Sequence, residues 1–392
     1  DVIVPGQPEA SLLVEMFSPL DDEPAEMPPE GEGEPLSEGE RDLLVRWIRE
    51  GAKDDTPATV PVEVAPTAYT HLPVVTDLEV SPDGSLIAVT GRGEVLLHAG
   101  DGSHVVARLA AGSARLEAVA FSPDGTRLAV AGGTPGVRGE LQIWDVAQRT
   151  LLHALPVSHD TLYGASWSAD GTRVAFGAPD NALRAVDATT GEQVLFQMSH
   201  EDWVLDTVWS TDDSHLISVS RDRSMNLVQV SNQQFIDKIT SITPGALKGG
   251  LMAVDRHPTK DELLIGGADG VPKIFRMYRE KKRVIGDDYN LIRALGGLSG
   301  RVYDASYSPD GTHAAAVSSH VGGGEVRLSK TDDGATVWTR SFPAGQYAVA
   351  FDPDGARVLA AGFDGAIRIF DATDGVLRMS FDAGPLEDAT SR

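Results

Sequence analysis

The feature that most constrains this chain is a short turn that returns at a nearly fixed interval. Its clearest copy is Ser122-Pro123-Asp124-Gly125, and variants begin at Ser81, Ser168, Ser210, His257, Ser308 and Asp352. Starts at 81, 122, 168, 210, 257, 308 and 352 lie 41 to 51 residues apart, close to the length of a unit of four strands. Each turn sits between two runs of alternating polarity, such as 116–121 and 127–131, which read as strands. Proline presets φ at the second turn position, Asp can bond the backbone ahead of it, and Gly supplies a positive φ, so the two runs form a hairpin. A third strand over 140–145 and a fourth over 150–155 complete the unit. A four-stranded sheet that is apolar on both faces needs a neighbour on each side, and a closed ring provides both. The expected fold class is therefore all-β, a seven-bladed β-propeller. Its last blade should be completed by 375–381, the alternative being a closing strand taken from residues 62–72.

Further residues carry a resemblance. Trp144-Asp145, echoed by Phe370-Asp371 and Val186-Asp187, ends the third strand of its unit, and Ser158-His159 and Ser199-His200 precede the next one. Residues 69–384 thus resemble a WD-repeat β-propeller. The resemblance implies buried, hydrogen-bonded roles for His159 and His200 and a function in protein–protein interaction.

Composition narrows the function. A formal charge of −25 argues against a nucleic-acid partner, since phosphate contacts need clustered Lys and Arg. With no cysteine there are no disulfides, zinc–thiolate sites or thiol catalysis. No apolar run reaches the ~20 residues of a membrane-spanning helix. The segment 1–60 lacks a signal-peptide pattern, and a chain opening on Asp1 reads as mature or trimmed.

Sixteen Asp and Glu against four Lys and Arg give residues 1–60 a charge of −12. A short helix is expected over 9–17 behind Pro8. A second begins at the capping box Ser37-Glu38-Gly39-Glu40 and carries Leu43, Leu44, Trp47 and Ile48 on one stripe before Gly51. Residues 4–13, the loop residues Met27-Pro28-Pro29 and residues 36–52 resemble the C-terminal half of the c-type cytochrome domains that planctomycetes place ahead of WD repeats. The resemblance implies a cytochrome c-like fragment over 1–55, electron transfer by the full-length protein, and an exported, periplasmic location. It also implies Met27 as axial ligand to the iron of a covalently attached haem (heme c). The Cys-x-x-Cys-His attachment motif of that family is absent, so this segment alone is expected to bind none.

A proline-rich linker over 56–68 joins this segment to the propeller, and 385–392 form a tail. The one dense basic cluster, 278–283, lies in an excursion of the fifth unit; it reads as a solvated hairpin or as a docking point for an acidic partner. No zincin, phosphate-loop or nucleophile-elbow motif is present, so the chain is not expected to be an enzyme. An active site assembled from separate blades would leave no such motif. Aligning the first strands brings Tyr163, Leu205, Met252, Tyr303 and Tyr347 to one position near the mouth of the ring, where aromatics suit a protein partner or pack between blades. The expected function is haem electron transfer with the propeller docking protein partners, redox partners among them. The alternative is an interaction scaffold without haem.

Overall fold

The computed structural model describes residues 2–18, 27, 35–52, 68–240, 248–284, 286 and 288–386. The chain divides into two compact units, Asp1–Val62 and Glu63–Arg392. Apart from Ala68, the expected linker lies outside the described residues, as do Pro28, Pro29 and the tail beyond 386.

In the larger unit the described strands form seven four-stranded antiparallel sheets, each from four consecutive strands. They span 78–110, 115–158, 163–197, 204–238, 251–294, 301–342 and 346–382, here blades one to seven. The first strand of each blade touches the first strand of the next, and that of blade seven touches that of blade one, so the ring is closed. Blade seven takes its fourth strand, Leu377–Asp382, from its own repeat. Among the described residues the lead-in adds to the sheets only an isolated parallel bridge between Tyr69 and Leu386. Around it, Tyr69 N–H donates to Pro385 O (2.8 Å), Val75 N–H to Gly362 O (3.0 Å) and Ala383 N–H to Gly365 O (2.8 Å). The Tyr69 hydroxyl donates to the fully buried Glu94, which also accepts from Arg108 Nε (2.7 Å).

The apolar core is divided into layers. Seven buried clusters lie one at each junction between blades, from Val75, Leu78 and Leu359 at the seven–one junction to Leu328, Trp338 and Phe370 at six–seven. Both faces of each sheet are therefore buried, which is why second strands such as Leu86–Thr90 are apolar almost without alternation.

The recurrent turn is a small hydrogen-bonded knot. Gly125 N–H closes it on Ser122 O (2.7 Å) with φ +70°, and Asp124 Oδ1 accepts from Ser122 Oγ (2.6 Å) and Thr126 N–H (3.0 Å). Ser122 Oγ in turn accepts from Arg127 N–H (2.9 Å). The same bonds recur around Asp83, Asp170, Asp212 and Asp310.

In the smaller unit a 3-10 turn, Pro8–Ala10, precedes helix α1, Leu12–Phe17, and helix α2 spans Glu38–Arg49. The single helix expected over 9–17 is thus broken at Ser11, whose hydroxyl accepts from Val4 N–H (2.8 Å) and donates to Gln7 O (3.0 Å). Ser37 and Glu40 make the expected capping box, and Gly51 leaves the helix at φ +104°. Of the expected stripe only Ile48 is buried, and Leu43 is 56% exposed.

Candidate functional site

The first strand of each blade is the inner edge of its sheet, so alternate N–H groups along it find no partner in their own sheet. Carboxylates from the preceding blade supply one. Asp77, Asp206 and Asp304 occupy one position in blades one, four and six. Their Oδ2 atoms accept from the N–H groups of Val119 (2.8 Å), Val254 (2.9 Å) and Val349 (2.7 Å) in the following blades. In each case Oδ1 accepts from the N–H of the next residue, Leu78, Thr207 or Ala305. Two residues on, Glu79 bonds Phe121 N–H, and Asp255 does the same for Tyr307 N–H (2.7 Å). Gly164 faces Asp206 from blade three, and a Cβ there would lie 2.7 Å from Asp206 Cα.

Enclosure by the ring pushes these carboxyls up. Desolvation raises Glu79 and Asp206 to about 8 and Asp304 to about 7, against the backbone N–H bonds that pull the other way. Asp77 and Asp255 rise for the same reason, Asp77 also through the neighbouring charge of Asp304. All five side chains are half-buried by surface area. Water thus reaches them from the central opening and moderates the desolvation. Among the described residues no group of acids and histidines has the arrangement of a metal site.

At the end of the ring where the first strands begin, the aligned residues Tyr163, Leu205, Met252, Tyr303 and Tyr347 are all half-buried. They fall into separate groups. The rings of Tyr303 and Tyr347 meet across blades six and seven, 4.8 Å apart and tilted by 59°. Phe363, 61% exposed, lies in a turn of blade seven, its N–H bonded to Gly345 O (2.9 Å) just ahead of the strand that carries Tyr347. Tyr163 stacks on Trp203 at 5.7 Å, with the Arg221 guanidinium 4.4 Å over the indole. Packing and presentation to solvent therefore coexist. Sequence alignment missed Trp203, Arg221 and Phe363, which lie in turns between strands, though an aromatic in a turn such as Phe363-Asp364-Gly365 is itself a signal of exposure.

Ser218, His200 and Asp222 line up as a hydrolase relay would, with 2.8 Å from Ser218 Oγ to His200 Nε2 and 3.1 Å from His200 Nδ1 to Asp222. Ser218 is fully buried, so no substrate reaches it; the network ties blade four together. His200 thus has its expected buried role. His159 does not: it is exposed, and that expectation is corrected.

The basic excursion of blade five is folded against the ring. Arg276 and Arg279 lie 5.4 Å and Lys281 5.3 Å from the ring of Tyr289. Arg283 Nη2 bonds Asp237 of blade four (2.9 Å). Lys281 and Lys282 are exposed. In the helical unit Met27 is 42% exposed and its N–H donates to Met16 O (2.9 Å).

Known proteins match parts of the chain. The family described as WD domain, G-beta repeat, matches residues 191–228 and 338–371. Curated relatives include the eukaryotic translation initiation factor 3 subunit I of Aspergillus terreus, 26% identical over 160 residues, covering 38% of this chain and 46% of the relative. The same-named proteins of Coccidioides immitis and Pyricularia oryzae are each 28% identical, over 166 and 159 residues, and cover 38% of this chain and 46% and 45% of their own. The chain thus spans less than half the length of the curated relatives it matches. Among solved structures, the computationally designed Ika8 protein aligns with a TM-score of 0.58 at 16% identity, over 80% of this chain and 89% of its own, a likeness of fold alone. Sequence repeats and sheet topology agree: this chain carries WD40 repeats folded as a seven-bladed β-propeller.

Proposed function

We propose that the chain is a non-enzymatic scaffold that binds protein partners through one mouth of its propeller. The observation that carries this reading is the Tyr303–Tyr347 ring pair across blades six and seven, with exposed Phe363 in a turn of blade seven. Aromatics that are packed on one side and bare on the other are the anchors of protein interfaces. The similarity to proteins named as subunits of a translation initiation factor supports membership of a multi-protein assembly rather than a redox chain. The test is affinity capture from the producing cells with Tyr303→Ala, Tyr347→Ala and Phe363→Ala combined. A partner held by the parent chain should be lost from the variant at nearly unchanged melting temperature; an unchanged set of partners, or a large fall in melting temperature, overturns the reading.

Electron transfer through haem is the second reading, resting on the resemblance of 1–55 and the half-exposed thioether of Met27. The residues present do not fit a covalently held haem. The chain has no cysteine and its first histidine is His71, so 1–62 supply neither the covalent attachment nor a proximal histidine. The exported location belongs to this second reading.

A further inference from the structure

The outer edge of each blade is its fourth strand, and an open strand edge invites pairing unless charge or proline blocks it. Six of the seven edges carry such a block: Arg108, Pro156, Lys238, Arg293, Arg340 and Arg378 in blades one, two, four, five, six and seven. Blade three does not. Its fourth strand, Gln193–Gln197, reads Gln-Val-Leu-Phe-Gln. Val194, Phe196 and the adjoining Met198 are exposed, as are Phe235 and Ile236 on the edge of blade four.

That edge is capped by one side chain. Phe196 N–H donates to Gln233 Oε1 (3.1 Å), and Gln233 Nε2 donates to Val194 O (3.3 Å). One amide thus takes the donor and the acceptor that a residue of an added strand would take. Gln233 is held for this at φ +57°, and its own carbonyl accepts from Gln197 Nε2 (2.9 Å). Hydrogen bonds of an exposed side chain, one of them long at 3.3 Å, are readily exchanged.

We infer that the edge of blade three is a second docking site, which takes an extended peptide segment of a partner protein as a fifth strand once the Gln233 amide swings away. Such strand addition draws affinity from main-chain bonds and specificity from alternate side chains. Those side chains are apolar, to cover Val194, Phe196 and Met198. The ends of the segment are basic, because exposed Glu192 and Glu201 flank the strand and the whole chain carries −25. The same charge opposes a second copy of this chain as the occupant. The inference extends the scaffold reading to another surface and does not rest on the mouth cluster.

The test uses the full chain and a labelled peptide of alternating valine and threonine with lysines at both ends, followed by fluorescence anisotropy. The parent chain binds it, and the same peptide with proline at its central position does not bind. Gln233→Ala, which removes the competing amide, binds roughly fivefold tighter, equivalent to about 1 kcal/mol. Val194→Lys, which restores the block of the other edges, abolishes binding. Equal binding of the proline peptide, or unchanged or weaker binding by Gln233→Ala, overturns the inference whether or not Val194→Lys folds. Concentration-dependent dimers of Gln233→Ala in sedimentation also overturn it and give the edge to a second copy. The combined Tyr303, Tyr347 and Phe363 variant retains peptide binding, so failure at the mouth and failure at the edge are read separately.

Discussion

Gly164 and the carboxylates beside it show how single residues fix the spacing between blades. Its φ of +55° and the 2.7 Å that would separate a Cβ from Asp206 Cα leave no room for a side chain. Gly164→Ala should cost about 2 kcal/mol or more, read as a lowered midpoint in urea unfolding; an unchanged midpoint would mean that blades three and four separate freely. The carboxyls of Glu79, Asp206 and Asp304 titrate higher in the fold than the ~4 of an unfolded chain. The folded state therefore binds extra protons between those values. Their contribution is fully present below about pH 4 and is lost as pH rises through 7 and 8. The turn acids act oppositely. Asp212 and Asp310 are held at about 2 by the hydroxyls of Ser214 and Ser308 respectively, with further bonds from the turn, so their contribution is lost only as pH falls toward that value. Melting temperature should thus fall from about pH 5 to about pH 9. Asp206→Asn combined with Asp304→Asn should flatten that slope, and an identical profile would remove these groups as its cause.

At the level of elements, the period of the turns exposed the strands because the turn chemistry is local. The Ser, Asp and Gly of each copy satisfy one another within a few residues, so their order in sequence already states the geometry. The acid staples were not legible. Asp206 finds its partner at Val254, 48 positions away in the next blade, and no local pattern records which N–H groups a neighbouring sheet leaves unpaired. The break at Ser11 escaped notice for a related reason: a helical apolar pattern does not show that a hydroxyl is engaged by Val4 and Gln7 instead. Helix α2 has sound caps but little burial, with Leu43 bare and only Ile48 enclosed. Amide exchange across 38–49 should accordingly be faster than in second strands such as Leu128 to Ala131, followed by mass spectrometry. Equal protection would mean that the helices form a complete, independently stable domain.

Across the whole molecule, stability is distributed over seven junctions instead of one centre, and six of these are bridged by continuous chain. The junction of blades seven and one is closed by contacts alone: the Tyr69–Leu386 bridge, the bond of Val75 N–H to Gly362 O, those of His98 Nε2 to Ala383 O (2.9 Å) and Arg357 Nη1 to Gly100 O (3.1 Å), and the apolar cluster of Val75, Leu78 and Leu359. Many rings of this kind would be locked by weaving a strand from one end of the chain into the sheet of the other; here each sheet is sequence-contiguous. Under mechanical load the difference is one of direction. A force applied between residues 69 and 386 falls first on the Tyr69–Leu386 bridge and the bond of Tyr69 N–H to Pro385 O, and then on the edge strand Leu377–Asp382, whose hydrogen bonds break in succession instead of all together. In an optical trap pulling on residues 69 and 386 the chain should therefore yield by peeling from the seam, blade by blade; a disulfide between cysteines placed at 69 and 386 carries that load itself, so the stepwise yielding should disappear and return on reduction.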